Sequence, residues 1–266
     1  MSLTISLRVP DGIVLAADSL STQRSALQLM AEFHAKCPKC ETEFPIKDLP
    51  LPAVHVPSST GSFAQKVTSL KTKDNKHSLG IATFGMGVIT GKTIYYHLRM
   101  LNQIELFENL AHASEKISEH LLAQLKIQFG DLSKYPDDSY PLGFQLVGYE
   151  DEIGKTIQIY IGKEIKREIR DTIGCTIGGQ GLLVKKMWEL KNQAPEYQLT
   201  YESLSLQDAC DLAEYFIRAT ADFQRFSNMM PDVGGAVDIA LITKYSGFKW
   251  IKCKELTKIL EADKGA

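Results

Sequence analysis

Residues 1–19, MSLTISLRVPDGIVLAADS, decide the fold. Residues 2–9 alternate small or polar with apolar side chains, Pro10-Asp11-Gly12 supplies a turn, and residues 13–18 continue as a second strand. This predicts an antiparallel hairpin that begins at the second residue, with no leader before it. Asp18 ends an apolar run, where an unpaired carboxylate is costly to bury, and Lys66, at the start of the strand KVTSL, is the partner the sequence offers. If Met1 is removed, an α-amine and a hydroxyl meet on Ser2. A serine hydroxyl attacks a carbonyl well only when a base takes its proton. An α-amine, with an ordinary pKa of about 7.7–8.0, is such a base.

The whole chain has 266 residues, 44% of them hydrophobic and 23% charged, with a net charge of -2. That length suits one large domain with a substantial core, and the charge balance argues against disorder or a nucleic-acid partner. No apolar run approaches the roughly 20 residues of a membrane span, so the expectation is a cytoplasmic protein with no membrane partner. Cys175, Cys210 and Cys253 are isolated and read as reduced thiols.

Further along, periodicity breaks down from about residue 23 to 61 in a stretch rich in Pro and Cys, read as a loop inserted into a single domain spanning 1–266. Strands are predicted at HSLGIATFG, YPLGFQLVGYE and KTIQIYIG, with EDEIGK as the connection between the last two, and at AVDIALITKYSG and FKWIKCK. Helices are predicted at about 92–107, 111–129 and 183–193, and after Ser205 as N-cap. Strands and helices cluster instead of alternating strictly, which argues for α+β with antiparallel sheets: two sheets face to face with helices outside both, a four-layer αββα sandwich.

The stretches DGIVLAADS, QKVTSL and IATFGMG resemble the proteasome β-subunit type of N-terminal nucleophile (Ntn) hydrolase, in a bacterial-type form. The resemblance extends more weakly through IGGQG, LSLQDACDLAEYFIRA and VGGAVDIALITKYSG to nearly the whole chain. It implies Ser2 as nucleophile, Asp18 and Lys66 as its catalytic partners, and Gly85 as the oxyanion glycine. The implied activity is that of a threonine-type endopeptidase, working without a catalytic cofactor on peptide or unfolded protein inside a homo-oligomeric ring, with an unfoldase as further partner. It also puts Thr83 and Gly87 beside the specificity pocket. Departures accompany it. Ser replaces the usual Thr and lacks the methyl group that stiffens χ1. Gly179 or Gln180 stands where the family has a supporting serine, Met230 and Val233 stand where it has an acid and a second serine, and Asp232 is close but off register. These changes keep two other readings open: a hydrolase of small amides on the same fold, and a catalytically silent ring or scaffold.

FHAKCPKCETEF holds His34, Cys37 and Cys40, and His55 follows within the insertion. Two thiolates in a tight turn with two imidazoles would make a structural zinc site, but without a second CxxC a reduced loop or redox pair fits equally. GGQG lacks the Lys-Ser/Thr of a phosphate loop and the dinucleotide glycine spacing. His97, His112 and His120 fall on predicted helices without a shared metal face and read as packing or surface residues.

Overall fold

In the computed structural model the opening stretch forms β1 (Leu3–Val9) and β2 (Gly12–Asp18), joined through Pro10 and Asp11 and paired antiparallel from Thr4↔Ala17 to Val9↔Gly12. The structure describes residues 2–27, 33–36, 40, 43–46, 54–73, 79–134, 136, 139–228 and 230–254. The described residues of Met1–Ser21 and Ser62–Ala266 form one compact unit, and those of Thr22–Gly61 a second. The second unit contains β3 (Ser21–Leu27) from Thr22 onward, β4 (Phe33–Lys36), β5 (Glu43–Ile46) and β6 (Val54–Gly61); β3 pairs with β6, and β4 antiparallel with β5. A stretch expected to be loop thus contains two strand pairs.

The chain continues through β7 (Val67–Leu70), β8 (Leu79–Gly85), β9 (Val88–Ile89) and β10 (Lys92–Thr93) into α1 (Ile94–Ile104) and α2 (Leu110–Phe129). Next come β11 (Leu142–Glu150), β12 (Ile153–Ile161), β13 (Ile165–Arg170), β14 (Gly174–Gly179), α3 (Leu182–Glu189), α4 (Leu206–Phe226), β15 (Val237–Thr243) and β16 (Gly247–Lys252). One five-stranded sheet has the order β14-β1-β2-β15-β16 and the other β13-β12-β11-β8-β7, with antiparallel neighbours throughout.

Side-chain alternation along β2 shows how the layers stack. Ile13, Leu15 and Ala17 face the other sheet, packing with Val67, Ala82, Val147, Ala240 and Ile242. Val14 and Ala16 point the opposite way, into a cluster with Ala213, Phe216 and Ile217 of α4. On the far side of the second sheet, Ile81, Phe144, Leu146 and Ile159 pack against Leu98 of α1 and Ile117, Leu121 and Leu125 of α2. The result is the α+β sandwich with two antiparallel sheets and helices outside both. Every residue of β2 is buried because both its faces are covered, and each large apolar side chain so buried stabilises by about 1.5–3 kcal/mol.

Three local predictions need correction. CTIGGQG, which lies in no predicted strand, is mostly strand β14, paired with β1 from Leu3↔Gly179 to Arg8↔Gly174. Its glycines disguise it: a Cβ on Gly178 would lie 2.4 Å from the Phe84 ring, so close packing and not strand propensity selects the residue. The connection read as EDEIGK is only Asp151 and Glu152, with φ of 48° and 69°, as a two-residue hairpin of the I′ kind requires. Residues 92–93 form a short strand before α1, whose N-cap is Thr93.

Candidate active site

Asp18 closes β2 with its side chain fully buried. Its Oδ1 accepts from the Leu3 backbone N–H at 3.0 Å and from Lys66 Nζ at 2.8 Å. Oδ2 accepts from the N–H of Leu20 at 3.1 Å and of Gly234 at 3.0 Å. Lys66, 8% exposed, donates also to the Leu20 carbonyl at 2.6 Å. Its own carbonyl accepts from Thr83 N–H, tying it to β8 two residues before Gly85. Burial pushes the Asp18 carboxyl above its ordinary value, opposed by the charge and hydrogen bond of Lys66 and by the backbone N–H groups of Leu3 and Gly234. Burial likewise pushes the Lys66 ammonium below the ordinary lysine value, opposed by Asp18 and, more weakly, by the Asp232 charge; Lys254 adds to the lowering.

Ser2 is buried at the start of β1. Its carbonyl accepts from Gln180 N–H at 2.8 Å, while the next amide, that of Leu3, donates to Asp18. Gly179 has φ of 80°, and a Cβ there would lie 1.9 Å from the Ser2 carbonyl oxygen, so only glycine lets β14 close on Ser2. The backbone of Gly179 and Gln180, not the Gln180 side chain, makes this contact. Ser2, Asp18 and Lys66 are thus brought to one end of the β1–β2 pair, with the Asp18 carboxylate bridging the amide after Ser2 and the ammonium of Lys66. Gly85 ends β8 with φ of 89°, and a Cβ there would lie 2.4 Å from the Pro141 carbonyl oxygen.

Asp232 is buried and held by Gln224 of α4: Gln224 Nε2 donates to Asp232 Oδ1 at 2.8 Å, and Gln224 Oε1 accepts from the amides of Asp232 and Val233, both at 3.0 Å. This clamp positions the loop whose Gly234 N–H reaches Asp18 and whose Gly234 carbonyl accepts from Ser19 and Leu20. Val233 packs in the α4 cluster. Sequence reasoning missed Gln224, although a polar residue in the buried helical series Ala213, Phe216, Ile217, Thr220, Gln224 is a readable signal. It also missed the buried ion pair of Asp238 with Lys254, whose signal was an Asp inside the apolar run AVDIALIT.

Cys37 lies outside the described residues, as do the side chains of His34 and His55; Cys40 is exposed. Among the described residues no three His, Cys, Asp or Glu side chains converge as a metal site. His97 and His120, on different helices, meet with Nδ1 and Nε2 3.2 Å apart, and His97 Nε2 lies 3.1 Å from the Ile89 carbonyl oxygen; spacing within one helix does not reveal such a pair. No described helix is long and apolar enough to cross a membrane.

No protein-family model matches the chain, and no curated protein does. Among solved structures, one described as "Anbu (Gly-1) mutant", from Hyphomicrobium sp. strain MC1, aligns with 96% of this chain and 89% of its own, at 14% identity and a TM-score of 0.57. The fold is proteasome-like. Identity this low speaks for the fold alone.

Proposed function

We propose that the chain is an N-terminal-serine amide hydrolase acting on peptide bonds, in which Ser2 becomes the first residue once Met1 is removed. The observation that carries this reading is the buried Asp18–Lys66 pair at 2.8 Å, joined through Asp18 to the amide following Ser2. A buried acid–base pair costs desolvation and is a weak source of stability; joined to the amide that follows the buried Ser2, it is a candidate functional arrangement.

In this mechanism Ser2 Oγ attacks the substrate carbonyl carbon while its proton passes to the Ser2 α-amine, through water. The Lys66 ammonium supplies positive potential that favours the neutral amine and the alkoxide, and Asp18 holds Lys66 in place. The Gly85 N–H stabilises the oxyanion. Collapse breaks the C–N bond, the leaving amine takes the proton, and water hydrolyses the resulting ester to release the acid and restore the hydroxyl. We propose further, on the resemblance of its sequence motifs, a self-compartmentalised ring of identical chains with unfolded protein delivered by an unfoldase.

Intact-mass measurement tests the first requirement: a retained Met1 blocks the amine and leaves a silent scaffold as the reading. Covalent capture by a peptide epoxide or β-lactone tests the second. The expected adduct maps to Ser2 and disappears in Ser2→Ala; an adduct elsewhere, or none on the processed chain, ends the proposal. Hydrolysis of short amides with no action on unfolded protein would narrow the substrate to small amides.

A further inference from the structure

A cavity of about 270 Å³ opens between β14, α3 and the segment 197–202, walled by Cys175, Met187, Trp188, Tyr197, Tyr201 and Glu202 among others. It lies away from Ser2: Cys175 pairs with Leu7, toward the opposite end of β1 from the Leu3↔Gly179 register. Trp188, Tyr197 and Tyr201 make no ring–ring or cation–ring contact among the described residues, so the aromatic surfaces of the wall are not spent on one another. Among the described residues no Lys or Arg lines the cavity, although the Arg170 charge acts on Cys175, and residues 189–202 carry Glu189, Glu196 and Glu202 against Lys191 alone. The Trp188 indole N–H is buried without a hydrogen bond of good geometry, although it faces the Tyr201 hydroxyl closely enough to favour that oxygen's charged form. Burial otherwise holds the Tyr201 phenol neutral.

We propose that this cavity is a binding site for a small quaternary-ammonium cation whose stem carries an oxygen acceptor, a choline-like group. Aromatic faces attract a cation through their quadrupoles, and a trimethylammonium head, which has no N–H to satisfy, needs nothing else from the wall. Glu202 supplies the counter-charge at the mouth beside the exposed Tyr197. The stem oxygen can accept from the buried Trp188 N–H, which faces the Tyr201 hydroxyl and, as a donor, has nothing to offer a guanidinium or an ammonium. A guanidinium would need several in-plane acceptors, and an anion would meet the Glu202 carboxylate at the mouth. The size, at the lower edge of the roughly 300–1,000 Å³ usual for ligand pockets, suits a head group and not a large ligand.

The chain has two tryptophans, so Trp250→Phe leaves Trp188 as the sole indole reporter. Titration with choline is expected to change its fluorescence saturably, with tetramethylammonium weaker and the neutral isostere 3,3-dimethylbutan-1-ol weaker by about tenfold. Tyr197→Ala should weaken choline about three- to fivefold through the lost ring, and Glu202→Gln about two- to fivefold through the lost charge. Calorimetric titration of the unaltered chain must give the same ranking, which removes dependence on any substitution. The absence of saturable binding overturns the proposal. So does equal affinity for the neutral isostere, which would make the cavity merely apolar, and so does tighter binding of guanidinium than of choline.

Discussion

Two buried aspartate–lysine pairs stand side by side in the first sheet, and they are built differently. Val237↔Asp18 and Asp238↔Ala17 are successive positions in the pairing of β15 with β2. Both carboxylates are fully buried, and the side chains of Lys66 and Lys254 are 8% and 2% exposed. Among the described residues, Asp238 takes its hydrogen bonds from the backbone N–H and the ammonium of Lys254, and so staples the chain just after β16 onto β15. Asp18 instead collects donors from four separated points of the chain, Leu3, Leu20, Lys66 and Gly234, one of them the amide after Ser2. A self-contained pair closes an edge; a shared one organises a site.

The largest expected effect separates these roles. Replacing a buried ion pair by apolar residues of similar volume is often neutral or stabilising by about 1–4 kcal/mol, whereas removing one partner costs about 3–5 kcal/mol. Asp238→Leu with Lys254→Met should therefore retain the fold and the rate at which Ser2 is captured by a β-lactone, to within a small factor. Asp18→Asn should slow that capture about 100-fold or more, in the range of lost acid–base assistance. Capture kinetics on folded protein, with denaturant melts of each variant, read both arms. Equal loss of capture in both would erase the distinction.

A smaller effect lies in the pH profile. Because burial lowers Lys66 and its ammonium is the form proposed to assist, capture should fall with rising pH before the ordinary lysine value of 10.5 is reached. Asp232 raises Lys66, so Asp232→Asn should move this alkaline limb to lower pH, while the staple's removal takes away the lowering influence of Lys254 and should move it to higher pH. Shifts of opposite sign from the two variants would show that the neighbouring pairs act on one ammonium through their charges. Shifts of the same sign would contradict that electrostatic account.

The sheets and their helices were legible because β1, β2, β11 and β12 carry strand patterns and α4 carries a helical stripe behind Ser205. Asp18 was legible as a charge that needed a partner, since nothing else in IVLAAD is polar. What could not be read depends on contacts between distant segments. Gly178 and Gly179 look like a loop because their reasons, the Phe84 ring and the Ser2 carbonyl, lie on other strands. Gln224 matters only once Asp232 and Val233 fold back onto α4. Lys254 follows sixteen residues after Asp238, beyond a hairpin whose register shifts at Ile239/Ala240, so no short-range spacing links them. The Asp151–Glu152 turn hid because neither residue is the glycine that usually marks a tight hairpin.

The smallest effect serves as a control on the first. Ser205 caps α4 in a reciprocal box with Asp208: Ser205 Oγ accepts from the Asp208 amide at 3.1 Å, and Asp208 Oδ2 accepts from the Ser205 amide at 3.1 Å. Ser205→Ala should cost about 1 kcal/mol while leaving capture at Ser2 unchanged, because Gln224, the α4 residue that positions the Asp232 loop, lies at the opposite end of that helix. The hydrogen bonds from Ser205 hold the Asp208 carboxyl below its ordinary value of 3.8, so their stabilisation is fully present above that value and is lost as pH falls through the lower folded value. The stability gap between wild type and variant should accordingly narrow in strong acid, as followed by denaturant melts across pH. If this distant, modest destabilisation slowed capture as much as Asp18→Asn does, the loss at Asp18 would report global stability, and the contrast between the two buried pairs would no longer locate a site.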